Sequence, residues 1–464
     1  MSHRLEKCPI RIVRKKNGSN HASVTQLTYY RGQQEAYVMA RFLVMTGPYP
    51  GHLAPTIPIV RKLIEHGHEV VWITGRAYQE KVENTGARFH PLPKEIDPDE
   101  MEVYDFYPKL AELKGIAQIK YWVKHVFLDA SPREIEVIDL AMADFPADVL
   151  LGDSVVSGLY FRSEMGGPPS ACISLLPDSL PSPDTAPFGL GLLPGKNIVS
   201  KIRNRLLNFL MYGVLLRDLT TYANSVRRRL GLGPYSCTLF SAMPMKMDLR
   251  MQISTPAFEY HRSNDPAHNH YIGPIIPEAD HSFRRPNWWP DLNGSKPVIV
   301  VNQGTLAKNL DDLIVPTIKG LEDEQVLVIA IPVKQGQLQR LPANVRAEPF
   351  IPFDHLLPHV NVMVTNGGYG GTQLALAHGV PLVVAGETED KREVAARVEW
   401  AGAGINLRKQ RPSPEAITDA VKEVLANPIY RENARRIQAD FAKYDAPTRA
   451  AELLEALASG RLEQ

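Results

Sequence analysis

The sequence predicts an α/β protein made of two doubly wound parallel sheets facing a cleft, and three observations carry that expectation. Short apolar runs alternate with stretches whose apolar residues recur at helical spacing. The alternation begins near residue 42, breaks at a Pro-rich stretch, and restarts at residue 297. Each half opens with a strand that runs into a glycine turn, the edge at which open parallel sheets bind ligands. The 464 residues hold two to four domains at about 150 residues each. A chain that is 44% hydrophobic and 22% charged supplies apolar mass for two cores.

Residues 1–38 contain no apolar h-region and no periodic pattern, so they read as a disordered leader ahead of the fold. Their basic, Ser/Asn-rich stretch gives a transit peptide as the second reading. FLVMT (42–46) is a short apolar run stopped by Gly47, Pro48 and Pro50, hence a buried strand and a loop. LAPTIPIVRKLIEHG (53–67) reads as a helix with a glycine stop, and EVVWIT (69–74) as the next strand. DVLLGD (148–153) and PSACIS (169–174) continue the sheet, placing the first domain at 39–254. Within it, 177–196 is rich in Pro and Gly, and 200–231 is basic and helical with the apolar stripe LLNFLMYGVLL. Two readings fit that stripe: docking on a membrane surface, or a helical pair walling an apolar pocket. The second is favoured, because the apolar residues are too many for a solvated face.

Residues 255–296, with Pro274, Pro277, Pro286 and Pro290, read as a linker. PVIVVNQGT (297–305), QVLVIAIP (325–332), VNVMVTNGG (360–368) and VPLVVAG (380–386) are the strands of a second domain, 297–445. The tail is helical, and its last amphipathic segment falls in 446–464.

Composition removes several function classes. A net charge of +1 offers no electrostatic footprint for nucleic acid. Cys8, Cys172 and Cys237 have neither CxxC spacing nor His partners at zinc spacing, so they read as reduced thiols of a cytoplasmic protein without a structural metal. No apolar run reaches the ~20 residues of a membrane span.

The loop TNGGYGGT (365–372) lies between a strand and a helix, the arrangement in which backbone N–H groups and the helix dipole hold phosphate. A dinucleotide fingerprint from Gly368 fails at Gln373, although Glu387, about 20 residues on at a strand end, keeps a nicotinamide-dependent oxidoreductase as a weaker reading. No Lys-Ser/Thr follows either glycine run. GDSVVSG (152–158) lacks the second glycine of a serine-hydrolase elbow. In the first domain, His52 follows strand one, and Asp153 ends a later strand of the same sheet. A neutral His held by a carboxylate suits general-base work, since the acid fixes the tautomer and stabilises the imidazolium. Spacing leaves open whether the two side chains meet.

Longer matches then resemble one family. Gly47 to Pro55 (GPYPGHLAP) with GHEV (67–70), WWPDL and PVIVVNQGT (288–305), FIPFDHLLPHVNVMVTNGGYGGTQLALAHGVPLVV (350–384) and TEDKREVAARVEWAGAGINL (388–407) span most of residues 40–430. They resemble the GT-B glycosyltransferases of the macrolide and UDP-glycosyltransferase group. The resemblance implies two Rossmann-like domains, His52 as general base, Asp153 as its orienting acid, and a last helix that crosses back to the first domain. On the donor side it implies Phe350, in place of the usual Trp, stacking on the nucleotide base. Gly304, Thr305 and Ile351 line the same subsite, and Phe353 stands where Gln is common. The diphosphate-binding His-Gly-Gly becomes Asn366-Gly367-Gly368, which keeps a hydrogen-bond donor but offers no positive charge. Gly371-Thr372 replaces Ser-Thr, Leu374 replaces the ribose-binding Glu, and Asp390-Lys391 replaces the sugar-reading Asp-Gln.

The expected function is inverting transfer of a sugar, glucose first, from a UDP- or TDP-sugar to a hydroxyl of a lipophilic small molecule, without a metal. A nucleotide-sugar epimerase on the same scaffold and a non-catalytic sugar-nucleotide-binding protein are the alternatives.

Overall fold

In a computed structural model the described residues are 39–462, except 100, 102, 196, 278–281, 305–308, 333–335, 337 and 339. The leader expected at 1–38 lies outside them.

The first sheet holds β1 (Arg41–Met45), β2 (Glu69–Thr74), β3 (Arg88–Pro91), β4 (Val149–Asp153), β5 (Ser170–Ser174), β6 (Leu249–Gln252) and β7 (Asn269–Tyr271). Its order is β3-β2-β1-β4-β5-β6-β7, and every pair is parallel. The second holds β8 (Val298–Asn302), β9 (Leu327–Ile331), β10 (Val345–Ala347), β11 (Val362–Thr365), β12 (Leu382–Val384) and β13 (Gly404–Asn406). Its order is β10-β9-β8-β11-β12-β13, again all parallel. Both sheets are doubly wound, and each reverses its strand order once: between β1 and β4, and between β8 and β11. Parallel strands covered on both faces need continuous apolar runs. VLLGD and LVIAI supply them, buried at every position.

Three expectations are corrected here. The helix after β1 begins at Pro50 rather than at residue 53, because Pro fits a first helical position, where its missing N–H is not needed. His52 therefore sits in the first helical turn, not in the loop. Residues 255–296 do more than link: β7 extends the first sheet, and Phe258, Glu259 and Arg262 are buried. The stripe in 200–231 does not wall a pocket with its apolar face. Ile202, Leu206 and Phe209 are exposed, while Asn204 faces inward.

Helix Ala446–Ala458 lies against helix Pro50–Glu65 and against β4 and β6 of the first sheet. Glu455 anchors it there, accepting from His66 Nδ1 at 2.7 Å and His68 Nε2 at 3.0 Å. Burial alone would raise the Glu455 carboxyl, but these two donors hold it below its ordinary value.

Candidate active site

In a doubly wound sheet, a crevice opens at the carboxyl edge where the strand order reverses. Asp153 is the last residue of β4, beside β1, and is fully buried. Its Oδ2 accepts the Gly47 N–H at 2.8 Å and faces His52 Nδ1 at 3.0 Å, while Oδ1 accepts the Val155 N–H at 2.8 Å. The carboxylate thus holds the loop after β1 and the imidazole on one side chain. Donation to Asp153 puts the proton on His52 Nδ1 and leaves Nε2 with its lone pair. A Cβ at Gly47 would lie 3.2 Å from Val155 Cγ2 and 3.5 Å from His52 Cγ, so this loop packs closely on both residues. Tyr49 meets the His52 ring edge-on, with centroids 5.7 Å apart.

Beside the dyad is a narrow, half-open cavity lined by Tyr49, Leu92, Ile96, Tyr107, Phe127 and Glu134, among others. Glu134 was not singled out from the sequence. Its Oε2 accepts the Gly158 N–H at 2.6 Å, and burial pushes its carboxyl up to about 8, so it holds its proton at neutral pH. A readable signal existed: Glu134 lies on the buried stripe Ser131, Glu134, Ile135, Ile138 of helix Ser131–Asp144. An acid at core spacing marks an unusual environment. Burial also pushes the Tyr107 phenol up to about 12.

The second switch point gathers the loops after β8, β11 and β12. Asn366, buried, donates its amide N–H to the Gln303 carbonyl, tying the loop after β11 to the loop after β8. Gly304 and Gly367 both take positive φ, at 72° and 87°. A Cβ on Gly386 would lie 2.1 Å from the Asn366 carbonyl oxygen, so the loop after β12 passes at glycine distance. Gly368 caps helix Tyr369–Ala377, and Gly371 lies in its first turn. Thr372 is fully buried, and its hydroxyl has no hydrogen-bond partner among the described residues, so it is not displayed on the open loop. Phe350 is 70% exposed and belongs to no core, whereas Ile351 behind it is buried. Lys391 turns its amine onto Thr388 Oγ1 at 2.8 Å and onto the Glu389 carboxylate. Burial raises the neighbouring Asp390 carboxyl to about 6. Thr305 lies outside the described residues.

A buried charged network joins the halves. Glu393 Oε1 accepts the N–H groups of Gly189 and Gly191 at 2.8 and 2.9 Å, and its Oε2 pairs with Arg397 at 3.1 Å. Arg397 reaches Glu259 Oε2 at 2.8 Å, and Tyr369 donates to the other oxygen of Glu259 at 2.6 Å. Glu393 and Arg397 come from the helix that follows Asp390, while Gly189 and Gly191 belong to the loop after β5.

Among the described residues, His66, His68 and Glu455 form a group whose ligand atoms lie within 4.8 Å of one another, close enough for a metal. The hydrogen bonding opposes it. His68 Nδ1 accepts the Ala40 N–H at 3.1 Å, so Nε2 carries the proton and donates to Glu455. A protonated ring nitrogen has no lone pair for a cation. The group is a clamp on the last helix.

Two doubly wound sheets, each with its switch point supplied with polar groups, one by a His-Asp pair and the other by a glycine-lined helix start, define a two-domain group-transfer enzyme of the nucleotide-binding type. Comparison with known proteins names the family. Residues 315–457 match the model of the erythromycin biosynthesis protein CIII-like C-terminal domain. The chain is 42% identical over 418 residues to 4'-demethylrebeccamycin synthase of Lentzea aerocolonigenes, covering 90% of this chain and 99% of that one. It is 32% identical over 412 residues to UDP-glucosyltransferase B1 of Starmerella bombicola, covering 86% and 94%. The solved glycotransferase of kitacinnamycin shares the fold, with a TM-score of 0.70 at 20% identity over 90% of this chain and 99% of that one. The chain belongs to the GT-B glycosyltransferases of the macrolide and UDP-glycosyltransferase family, and its activity is glycosyl transfer.

Proposed function

We propose that the enzyme moves a hexose, glucose first, from a UDP- or TDP-sugar to a hydroxyl of a lipophilic small molecule with inversion at the anomeric carbon. The carrying observation is the 3.0 Å contact between His52 Nδ1 and the buried Asp153 carboxylate at the first switch point. A hydroxyl is a weak nucleophile near neutral pH. His52 Nε2 takes its proton as the oxygen attacks, and Asp153 stabilises the imidazolium that forms. The bond from the anomeric carbon to the diphosphate breaks as the new C–O bond forms, so a single displacement inverts the centre.

Charge gathering on the diphosphate is met by backbone N–H groups at the start of helix Tyr369–Ala377, which need no metal. Phe350 stacks on the base, Gly304 and Ile351 border the same donor site, and Asp390 with Lys391 borders the sugar. Asn366 donates to the diphosphate with the amide hydrogen that Gln303 does not take. The apolar lining beside Tyr49 supports a lipophilic acceptor. No helix among the described residues is long and apolar enough to cross a membrane. We infer a cytoplasmic enzyme, which agrees with the free thiols of Cys172 and Cys237.

The test is His52→Ala, assayed with UDP- and TDP-sugars against phenolic, steroidal and macrolide acceptors by mass spectrometry. Turnover should fall by about two to four orders of magnitude, the worth of a positioned base, with donor affinity unchanged. Near-normal turnover on an aliphatic alcohol would remove His52 from the role.

A further inference from the structure

One helix of the first domain is inside out. Helix Ile198–Asn208 is started by a reciprocal cap, in which Asn197 Oδ1 accepts the Ser200 N–H at 2.9 Å, and it continues as a wider π-type helix over Phe209–Leu215. Its polar face is the one turned to the protein. Asn204 is 0% exposed and donates to the Asp184 carbonyl at 2.8 Å, and Asn208 donates to the Ser182 and Thr185 carbonyls at 2.9 and 3.0 Å. One turn further, the Tyr212 hydroxyl accepts the Phe188 N–H at 3.1 Å. Ile198, Ile202, Leu206, Phe209 and Val214 point outward and are 75, 60, 56, 64 and 54% exposed. Solvated helices place these two faces the other way round. A contiguous exposed stripe of large apolar side chains marks a surface built to be covered.

The charges bordering the stripe select what covers it. At 100° per residue, Arg203 falls on one flank, and Lys201 and Arg205 fall on the other. All three are exposed, as is Arg217, and residues 197–217 contain no Asp or Glu. Lys201 is paired with Asp184 at 3.1 Å. Among the described residues, Arg203 bonds to neutral groups, the Leu193 carbonyl and the Asn204 side chain. A second copy docked on this face about a two-fold axis would oppose two sets of cations with no acid from the segment between them. An apolar stripe bordered by cations instead matches the interfacial region of a bilayer, where acyl chains take the stripe and anionic headgroups take the arginines.

We propose that residues 197–217 are a membrane-docking helix, which lays Ile198, Ile202, Leu206 and Phe209 into the surface of an anionic bilayer. Docking would hold the acceptor-binding domain where lipophilic molecules concentrate. The proposal does not depend on the roles given to His52 and Asp153.

Flotation of the full chain with phosphatidylcholine vesicles, with and without phosphatidylglycerol, tests it. The protein should float with the anionic vesicles and less so at raised salt. Ile202→Glu/Phe209→Glu should lower the bound fraction at least tenfold, and Arg203→Gln/Arg205→Gln should remove the preference for phosphatidylglycerol. Both pairs are exposed, so melting temperatures should stay at the parent value; Leu206→Ser is the milder stripe variant should the double change unfold the chain. Three results would overturn the proposal: no flotation of the parent, unchanged flotation of the stripe variants, or sedimentation showing a dimer that the stripe variants convert to monomer.

Discussion

Glu134 gives the sharpest thermodynamic expectation. Its carboxyl is buried beside the dyad, accepts the Gly158 N–H at 2.6 Å, and is pushed by desolvation from 4.5 to about 8, with the Asp153 charge adding to the rise. In the unfolded chain the same group ionises near its ordinary value. Between about pH 4.5 and pH 8 the native state therefore binds one more proton than the unfolded state, and stability falls as pH rises through that window. At about 1.4 kcal/mol per unit, this residue weakens folding by about 3 kcal/mol at pH 7 and about 5 kcal/mol above pH 8. Glu134→Gln keeps an oxygen for the Gly158 N–H and removes the titration. Urea unfolding of parent and variant at intervals from pH 5 to pH 8.5 isolates the effect, because every other titrating group is common to both. The two should be close in stability at pH 5, with the variant ahead by several kcal/mol at pH 8.5. A difference that stays constant across the range would refute the account of a neutral, buried Glu134.

Other expectations follow from the same geometry. Arg397→Met strands the fully buried Glu259 carboxylate and should cost about 3–5 kcal/mol in denaturant unfolding; adding Glu259→Gln should restore part of it, and a loss below 1 kcal/mol would show the pair to be dispensable. Phe350→Ala should weaken UDP binding by about 1–3 kcal/mol without changing folding stability; calorimetry that finds stability lost and affinity kept would return Phe350 to a packing role. Glu455→Ala removes the acceptor shared by His66 and His68 and should cost about 1–3 kcal/mol. Hydrogen exchange should speed up in helix Ala446–Ala458, and unchanged exchange there would mean that the apolar contacts alone hold it.

Much of this architecture was legible in the sequence because it is governed by local rules. Strands such as FLVMT and DVLLGD announce themselves as apolar runs stopped by Gly or Pro. Strand order does not follow from such runs, yet the right-handed crossover of parallel strands leaves few orders open. Once β1 and β4 are neighbours, the residues that end them must share one edge. That places His52 and Asp153 at one edge on paper, and the contact between them across 101 residues is what the structure adds. The His52 helix starts early for an equally local reason, Pro50, which was read as a stop when it is an acceptable first residue. Asn366 was legible by position and not by partner. Its amide is engaged by the Gln303 carbonyl, a contact set by the approach of two loops.

What stayed illegible depends on direction or on distant charge. Helical periodicity shows that Ile202, Leu206 and Phe209 share a face, but no pattern states whether that face looks inward or outward. Abundance of apolar residues argued for inward. The deciding residues were the modest ones opposite, since Asn204 and Asn208 find carbonyl partners in the loop 182–185, and only an inward polar face can satisfy them. The Glu393–Arg397–Glu259 chain was hidden for a related reason. Glu259 and Arg397 stand 138 positions apart, and an ion pair leaves no periodic trace. The same helix that begins beside Asp390 grips the loop at Gly189 and Gly191, so the loop after β12 and the loop after β5 are tied to one element. A sequence offers Glu393 as one more acid on a helix. Its meaning comes from the two backbone N–H groups that the fold brings to it.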